Sequence, residues 1–223
     1  MCARYIAFTE HLNPVLVADV FGLVEVPDVT PRYNVAPSQL VPVVGAKPDG
    51  RRGLSSFKWG FVPHWANDPK DGYRPVNAKS ETVATTPMFR DAFARKRCLM
   101  IACGFYEWMG PKGKRKPIHY RMKDGEPFAF AAVWDCWQGG AEPLFTCALL
   151  TTTPNDLVKP VHDRMPVILP RDAYAAWLDP KADPDRLLGW LKPYPAGAMI
   201  GSPANPAMNK PTFQGRECLT PPS

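Results

Sequence analysis

The stretch Leu99-Met100-Ile101-Ala102-Cys103-Gly104-Phe105-Tyr106-Glu107-Trp108 decides the class of the fold. It is apolar almost throughout and rich in strand-forming side chains, and it reads as one strand. On its C-terminal side a basic turn holding Lys112, Lys114, Arg115 and Lys116 leads into further strands at Ile118 to Met122, Phe128 to Val133 and Leu144 to Leu150. On its N-terminal side Leu40 to Ala46 reads as a strand, as does the segment from Leu54 that runs into the aromatic loop Trp59-Gly60-Phe61-Val62-Pro63-His64-Trp65. Cys2 to Phe8 reads as a short strand tying the N-terminus into a sheet. Helices are predicted at Leu12 to Leu23, with Asn13 as N-cap and Pro14 in the first turn, and at Met88 to Arg97, capped by Thr85 or Thr86. A short helix is expected after Pro154, with two more near Arg171 to Leu178 and Pro184 to Leu191. Strands dominate the centre without regular βαβ alternation. The expected class is therefore α+β: a single domain over residues 1–223 whose curved, largely antiparallel, barrel-like sheet is flanked by short helices. The tail from about residue 193 is Pro-rich and reads as irregular, with a final strand near Ala198 to Gly201.

Composition bounds the function classes. At 223 residues, 45% hydrophobic and 22% charged, the chain is long enough for one substantial core, and its 27 prolines argue against a helical bundle. A net charge of +6 permits a polyanionic partner. The six cysteines form no CxxC and no Cys/His ligand spacing, so neither a metal site nor another cofactor is expected. Cys98 and Cys103, an odd number of residues apart, should point to opposite faces of one strand in a reducing compartment. No apolar run is long enough to span a membrane. Arg4, Glu10, His11, Pro14 and Asp19 interrupt any signal-peptide core, so a cytoplasmic protein without a membrane partner is expected.

Several residues could carry chemistry. The start, Met1-Cys2-Ala3-Arg4, has a small second residue, so removal of Met1 would leave Cys2 as a 1,2-aminothiol. Its amine (pKa about 8) and thiol (about 8.5) are both usable near neutral pH. Such a group condenses with an aldehyde to a Schiff base and closes to a thiazolidine. Glu107, flanked by Tyr106 and Trp108, reads either as a general acid/base raised by desolvation or as a strand-end carboxylate facing water. His162, in His162-Asp163-Arg164, reads as a proton shuttle or phosphate contact, or as a structural histidine. Asn34 and Asn77 lie in polar loops near Arg32 and Lys79 and could close Asx-turns. Trp65 could stack on a base or sit in the interior, and the basic turn could meet phosphates or water.

Taken in order, Met1-Cys2-Ala3-Arg4, Arg32-Tyr33-Asn34-Val35-Ala36-Pro37, Trp59-Gly60 with Pro63 and Trp65, Asn77-Ala78-Lys79-Ser80-Glu81-Thr82, Gly104-Phe105-Tyr106-Glu107-Trp108 and His162-Asp163-Arg164-Met165-Pro166 closely resemble the SRAP (SOS-response-associated peptidase) family. Met208-Asn209-Lys210 adds a weaker echo. The resemblance implies a covalent sensor of abasic sites in single-stranded DNA or at junctions of single and double strands, acting as a monomer near the nucleoid. By the family's pattern Cys2 would form the crosslink and Asn77 would orient the reacting terminus. Glu107 would help open the sugar ring and move protons, and His162 would assist ring opening and hold the lesion's phosphate. Arg4, Asn34, Pro37, Trp65 and Lys79 would line the DNA groove. The chain departs from the pattern at Ala3, where Gly is usual, and at Lys79, where Arg is usual. Two other readings remain: a cysteine peptidase or self-processing hydrolase using Cys2, Glu107 and His162, and a non-covalent binder of single-stranded DNA.

Overall fold

A computed structural model describes residues 2–47, 49–69, 72, 74–111 and 113–221. Met1 and Lys112, both named above, lie outside the described residues. The strands are β1 (Tyr5–Ile6), β2 (Leu40–Ala46), β3 (Arg52–Trp59), β4 (Asn77–Lys79), β5 (Arg97–Ala102), β6 (Gly104–Met109), β7 (Lys116–Met122), β8 (Phe128–Trp137), β9 (Leu144–Thr152), β10 (Met165–Pro166), β11 (Ile168–Leu169) and β12 (Met199–Pro203). The helices are α1 (Pro14–Phe21), α2 (Arg90–Arg95), α3 (Tyr174–Leu178) and α4 (Pro184–Leu188).

The ten-residue stretch from Leu99 to Trp108 is two strands, not one. β5 belongs to a barrel and β6 to a second sheet, and the chain crosses between them at Cys103, whose N–H donates to Ile6 O at 2.8 Å. Cys98 and Cys103 therefore do not share a strand; all six cysteines are free thiols. Gly104 makes the crossing possible. A Cβ there would collide with the ring of His119 and lie 2.8 Å from the carbonyl oxygen of Tyr120, so only glycine lets β6 lie this close to β7.

The barrel is closed. Antiparallel pairings join β3 to β2, β2 to β5, β5 to β8 and β8 to β9, and the parallel pair Lys58↔Thr146 and Trp59↔Cys147 joins β9 back to β3. The sheet is thus antiparallel except where β3 and β4 run beside β9. Every residue of β5 is buried: the barrel interior takes one face, and α2 and α3 pack on the other, with Phe93 edge-on to Trp177. Burying a side chain of this size contributes about 1.5–3 kcal/mol. The second sheet runs β1-β6-β7-β12 and is antiparallel throughout.

The boundaries of α1 follow its sequence signals. Asn13 Oδ1 accepts from Val15 N at 2.9 Å, Pro14 sits in the first turn, and Gly22 ends the helix at φ 62°. Two expectations fail. α2 starts at Arg90, after a turn in which Thr86 O accepts from Phe89 and Arg90, so neither Thr85 nor Thr86 caps it by side chain. No helix follows Pro154; Asn155 Oδ1 instead accepts from Val158 N at 3.0 Å and closes a turn. The tail beyond residue 193 is short in regular structure but docked. β12 pairs with β7, and Met208 and Cys218 complete a small second core with Ile6, Tyr33 and Tyr106.

Replacing Gly104 with Ala should lower stability by about 1–3 kcal/mol through overpacking against His119 and Tyr120. Thermal denaturation checks this, and an unchanged melting temperature would show that β6 and β7 can separate at no cost.

Candidate active site

The N-terminal segment is hydrogen-bonded on both edges. β1 pairs with Phe105 and Gly104 of β6, and on its other side Tyr5 exchanges two backbone hydrogen bonds with Val35, at 3.2 and 2.9 Å. The Tyr5 ring stands edge-on to Trp59 and Phe130, at centroid distances of 5.5 and 5.8 Å. With both edges paired and an aromatic anchor in the core, the segment has no free side at which to fray. Cys2 is thereby fixed in place and is fully buried. Its carbonyl accepts from Asn77 Nδ2 at 3.0 Å, and its thiol faces Arg4 O at 3.8 Å. Asn77 reaches this point because it opens β4, which lies beside Leu149 of β9.

Glu107 lies on β6 opposite Ile118 and is 1% exposed. Burial pushes its carboxyl up to about 7, so near neutral pH it is about half protonated and can both give and take a proton. The same burial, reinforced by the negative charge of Glu107, drives the Cys2 thiol well above the usual range. His162 Nε2 is 3.8 Å from Glu107 Oε2. Its Nδ1 accepts from Arg164 N at 3.0 Å, although the exposed Asp163 carboxylate also lies 2.9 Å from that nitrogen. Partial burial lowers the imidazole pKa, which favours the neutral ring. Arg164 holds the histidine loop in place. Its guanidinium makes a bidentate pair with Glu81 at 2.5 and 2.8 Å and donates to Thr151 O at 2.6 Å. That hydrogen-bonded pair depresses the Glu81 carboxyl.

Cys2, Asn77, Glu107 and His162, far apart in sequence, thus form one cluster. Two of its buried acceptors, Asn77 Oδ1 and Glu107 Oε1, have no hydrogen-bond donor among the described residues. Buried acceptors left this way cost about 1–3 kcal/mol each, and both belong to the cluster.

The five remaining residues are spread around it. Arg4 is half-buried and donates to Asn209 O at 3.3 Å, and Trp108 Nε1 donates to Asn209 Oδ1 at 2.6 Å, so the weak echo at residues 208–210 marks a real contact. Lys79 is exposed at the end of β4. Pro37 is half-buried at a turn where Ser38 takes φ 70° and donates to Trp59 O at 2.7 Å. Trp65 is 55% exposed, not interior. Asn34 does not line a groove: its side chain is fully buried, and its amide nitrogen donates to the carbonyls of Met208, Lys210 and Phe213, pinning the tail. Ala3 fits without strain, because Ser38 is the one non-glycine residue with positive φ among the described residues.

Sequence reasoning passed over Asp135. This buried carboxylate takes Lys96 Nζ at 2.6 Å and both the backbone N–H and Nδ1 of His64 at 2.9 Å each, fixing the loop that presents Trp65. A lone acid between Trp134 and Cys136 was the same signal that singled out Glu107, but the predicted strand stopped at Val133. Among the described residues no group of three or more His, Cys, Asp or Glu is placed to hold a metal ion. No helix among them is long and apolar enough to cross a membrane.

The profile of the family described as SOS response associated peptidase (SRAP) matches residues 1–211. The chain belongs to the SRAP family. It is 38% identical, over 98% of its length and 99% of the relative's, to the abasic site processing protein YoqW of Bacillus subtilis. It is 28% identical to the abasic site processing protein YedK of Escherichia coli, over 68% of this chain and 66% of that one. A crystal structure of a Bacteroides thetaiotaomicron protein shares the fold at a TM-score of 0.85 and 22% identity, with both chains fully covered.

The raised carboxyl of Glu107 links folding to pH. An ordinary glutamate titrates near 4.5, so the folded state holds this proton longer than the unfolded chain does. The resulting stabilisation is complete below pH 4.5 and is lost as pH rises through about 7. Glu107→Gln should therefore gain melting temperature relative to the parent across that interval, and a difference independent of pH would contradict the assignment.

Proposed function

We propose that this protein processes abasic sites in single-stranded DNA by forming a covalent thiazolidine crosslink through Cys2 after Met1 is removed. The observation that carries this reading is buried Glu107, its carboxyl raised by burial, standing 3.8 Å from His162 and acting electrostatically on the Cys2 thiol. The family membership and the names of the relatives support abasic-site processing as the general activity.

An abasic deoxyribose is a hemiacetal in equilibrium with an open aldehyde. In the proposed sequence Glu107 acts as base to open the ring, with His162 assisting, and Asn77 orients the terminus through the Cys2 carbonyl. The Cys2 amine then adds to the aldehyde carbon. Protonated Glu107 delivers a proton to the departing hydroxyl, which leaves as water and gives the protonated imine, its nitrogen still carrying one N–H. Last, the thiol adds to that carbon: sulfur bonds carbon, the C=N electron pair returns to nitrogen, and the thiol proton passes to the Glu107 carboxylate, restoring its protonated form. The amine acts first because the thiol is held protonated in its buried position. Within the cluster, Asn77 Oδ1 and Glu107 Oε1, both without donors, match the hydroxyl groups of an opened sugar.

Burial, which raises the Cys2 thiol, disfavours the thiolate that a cysteine peptidase needs. Exposed Trp65 and Lys79, with the net charge of +6, support a DNA strand running over this face, with Trp65 excluding a stacked complementary strand.

Incubation with an oligonucleotide carrying an abasic site, followed by denaturing electrophoresis, should give a shifted band. Cys2→Ala should abolish it, and Cys2→Ser should give only a labile Schiff base. Glu107→Gln should slow adduct formation by about 10²–10⁴-fold. A shifted band of normal stability with Cys2→Ala would overturn the proposal.

A further inference from the structure

On the outer wall of the barrel, away from Cys2, lies a groove of about 440 Å³ whose lining includes Phe57, Trp134, Phe145, Lys47, Arg95 and Arg97. The three aromatic rings form one cluster. Phe57 stacks on Phe145 at a centroid distance of 5.4 Å and an interplanar angle of 13°, and Trp134 lies 5.4 Å from Phe57 and 6.1 Å from Phe145. Phe145, near the start of β9, is 40% exposed. Lys96 Nζ stands 5.9 Å above the Trp134 ring.

Cations outnumber acids around these rings. Lys47 and Arg95 are exposed at the rim. Arg97 is buried beneath it, with its guanidinium bonded to the carbonyls of Trp177, Phe93, Ala94 and Asp179 and to no carboxylate among the described residues. Carbonyl dipoles satisfy its hydrogens but leave its full positive charge in place. Of the nearby acids, Asp135 is already taken by Lys96 and His64, while Asp179 sits at the lip and accepts from Lys181 N. Exposed Phe145, backed by half-buried Phe57 and Trp134 and with Lys47 and Arg95 at the rim, suits single-stranded nucleic acid: bases stack on the rings and phosphates meet the cations.

The groove also connects to the proposed DNA face. Lys96 covers Trp134 and bonds Asp135, Asp135 bonds His64, and His64 adjoins exposed Trp65. We propose that this groove is a second binding surface, which holds the undamaged single strand flanking the lesion by stacking its bases on Phe145, Phe57 and Trp134. This rests on the DNA reading of the Cys2 site but concerns undamaged strand, so the two can fail separately.

The test uses the full-length protein in two assays. Fluorescence anisotropy measures binding of an undamaged thymidine oligonucleotide of about 25 residues, and crosslinking is timed on an abasic oligonucleotide trimmed to about five, too short to reach the groove. Phe145→Ala should weaken binding of the long undamaged strand about tenfold, and Arg95→Glu should weaken it and flatten its salt dependence. Phe145→Trp should retain binding. All three variants should crosslink the short lesion at the parent rate. Undiminished binding by both Phe145→Ala and Arg95→Glu would overturn the proposal, as would equal loss on the short lesion, which would mean that the groove acts only through the fold. Absence of crosslinking by the parent would instead remove the Cys2 mechanism, while the anisotropy assay still decides the groove.

Discussion

The structure depends on one piece of pairing: a two-residue strand, Tyr5–Ile6, bonded on one edge to Phe105 and Gly104 and on the other, through Tyr5, to Val35. A chain terminus normally frays because ordering it costs about 1–2 kcal/mol per residue with few contacts in return. Here the cost is offset by hydrogen bonds on both edges and by the Tyr5 ring between Trp59 and Phe130. The second sheet owes its position to the same segment, because Gly104 lets β6 turn out of the barrel beside it. That turn brings Glu107 to Cys2.

Burial then sets the chemistry. Low dielectric pushes the Glu107 carboxyl into the neutral range and the Cys2 thiol out of it, and the proposed mechanism uses the first as proton carrier and the second as nucleophile. A cysteine peptidase needs the opposite arrangement, with a cation stabilising its thiolate. His162 adds a neutral ring directed at Glu107, held by the Arg164 backbone and by the Arg164–Glu81 pair.

Much of this was legible in the sequence. Strand patterning gave the α+β class and the barrel, and the signals around Asn13, Pro14 and Gly22 gave α1 nearly to the residue. Apart from local turns at Thr86 and Asn155, what was missed involves residues whose partners lie far along the chain. Nothing local distinguishes Asn34 in a polar loop from Asn34 bonded to three carbonyls of the tail. The split of Leu99 to Trp108 was equally hidden, because Gly104 is needed only against His119 and Tyr120, which reach it through tertiary pairing. Four dispersed residues, Cys2, Asn77, Glu107 and His162, were identified as a group through the family pattern, and the structure gives their contacts. The aromatic groove had no motif, since its rings come from β3, β8 and β9.

The central claim is that nitrogen and sulfur of one terminal residue both capture the same sugar carbon. Peptide mass spectrometry of the purified adduct, after digestion and thiol alkylation, tests it most directly. The account predicts that the N-terminal peptide begins at Cys2, carries the sugar remnant, and presents no alkylatable thiol. A sugar-bearing peptide that retains Met1, or one whose Cys2 thiol is still free to alkylate, would contradict it.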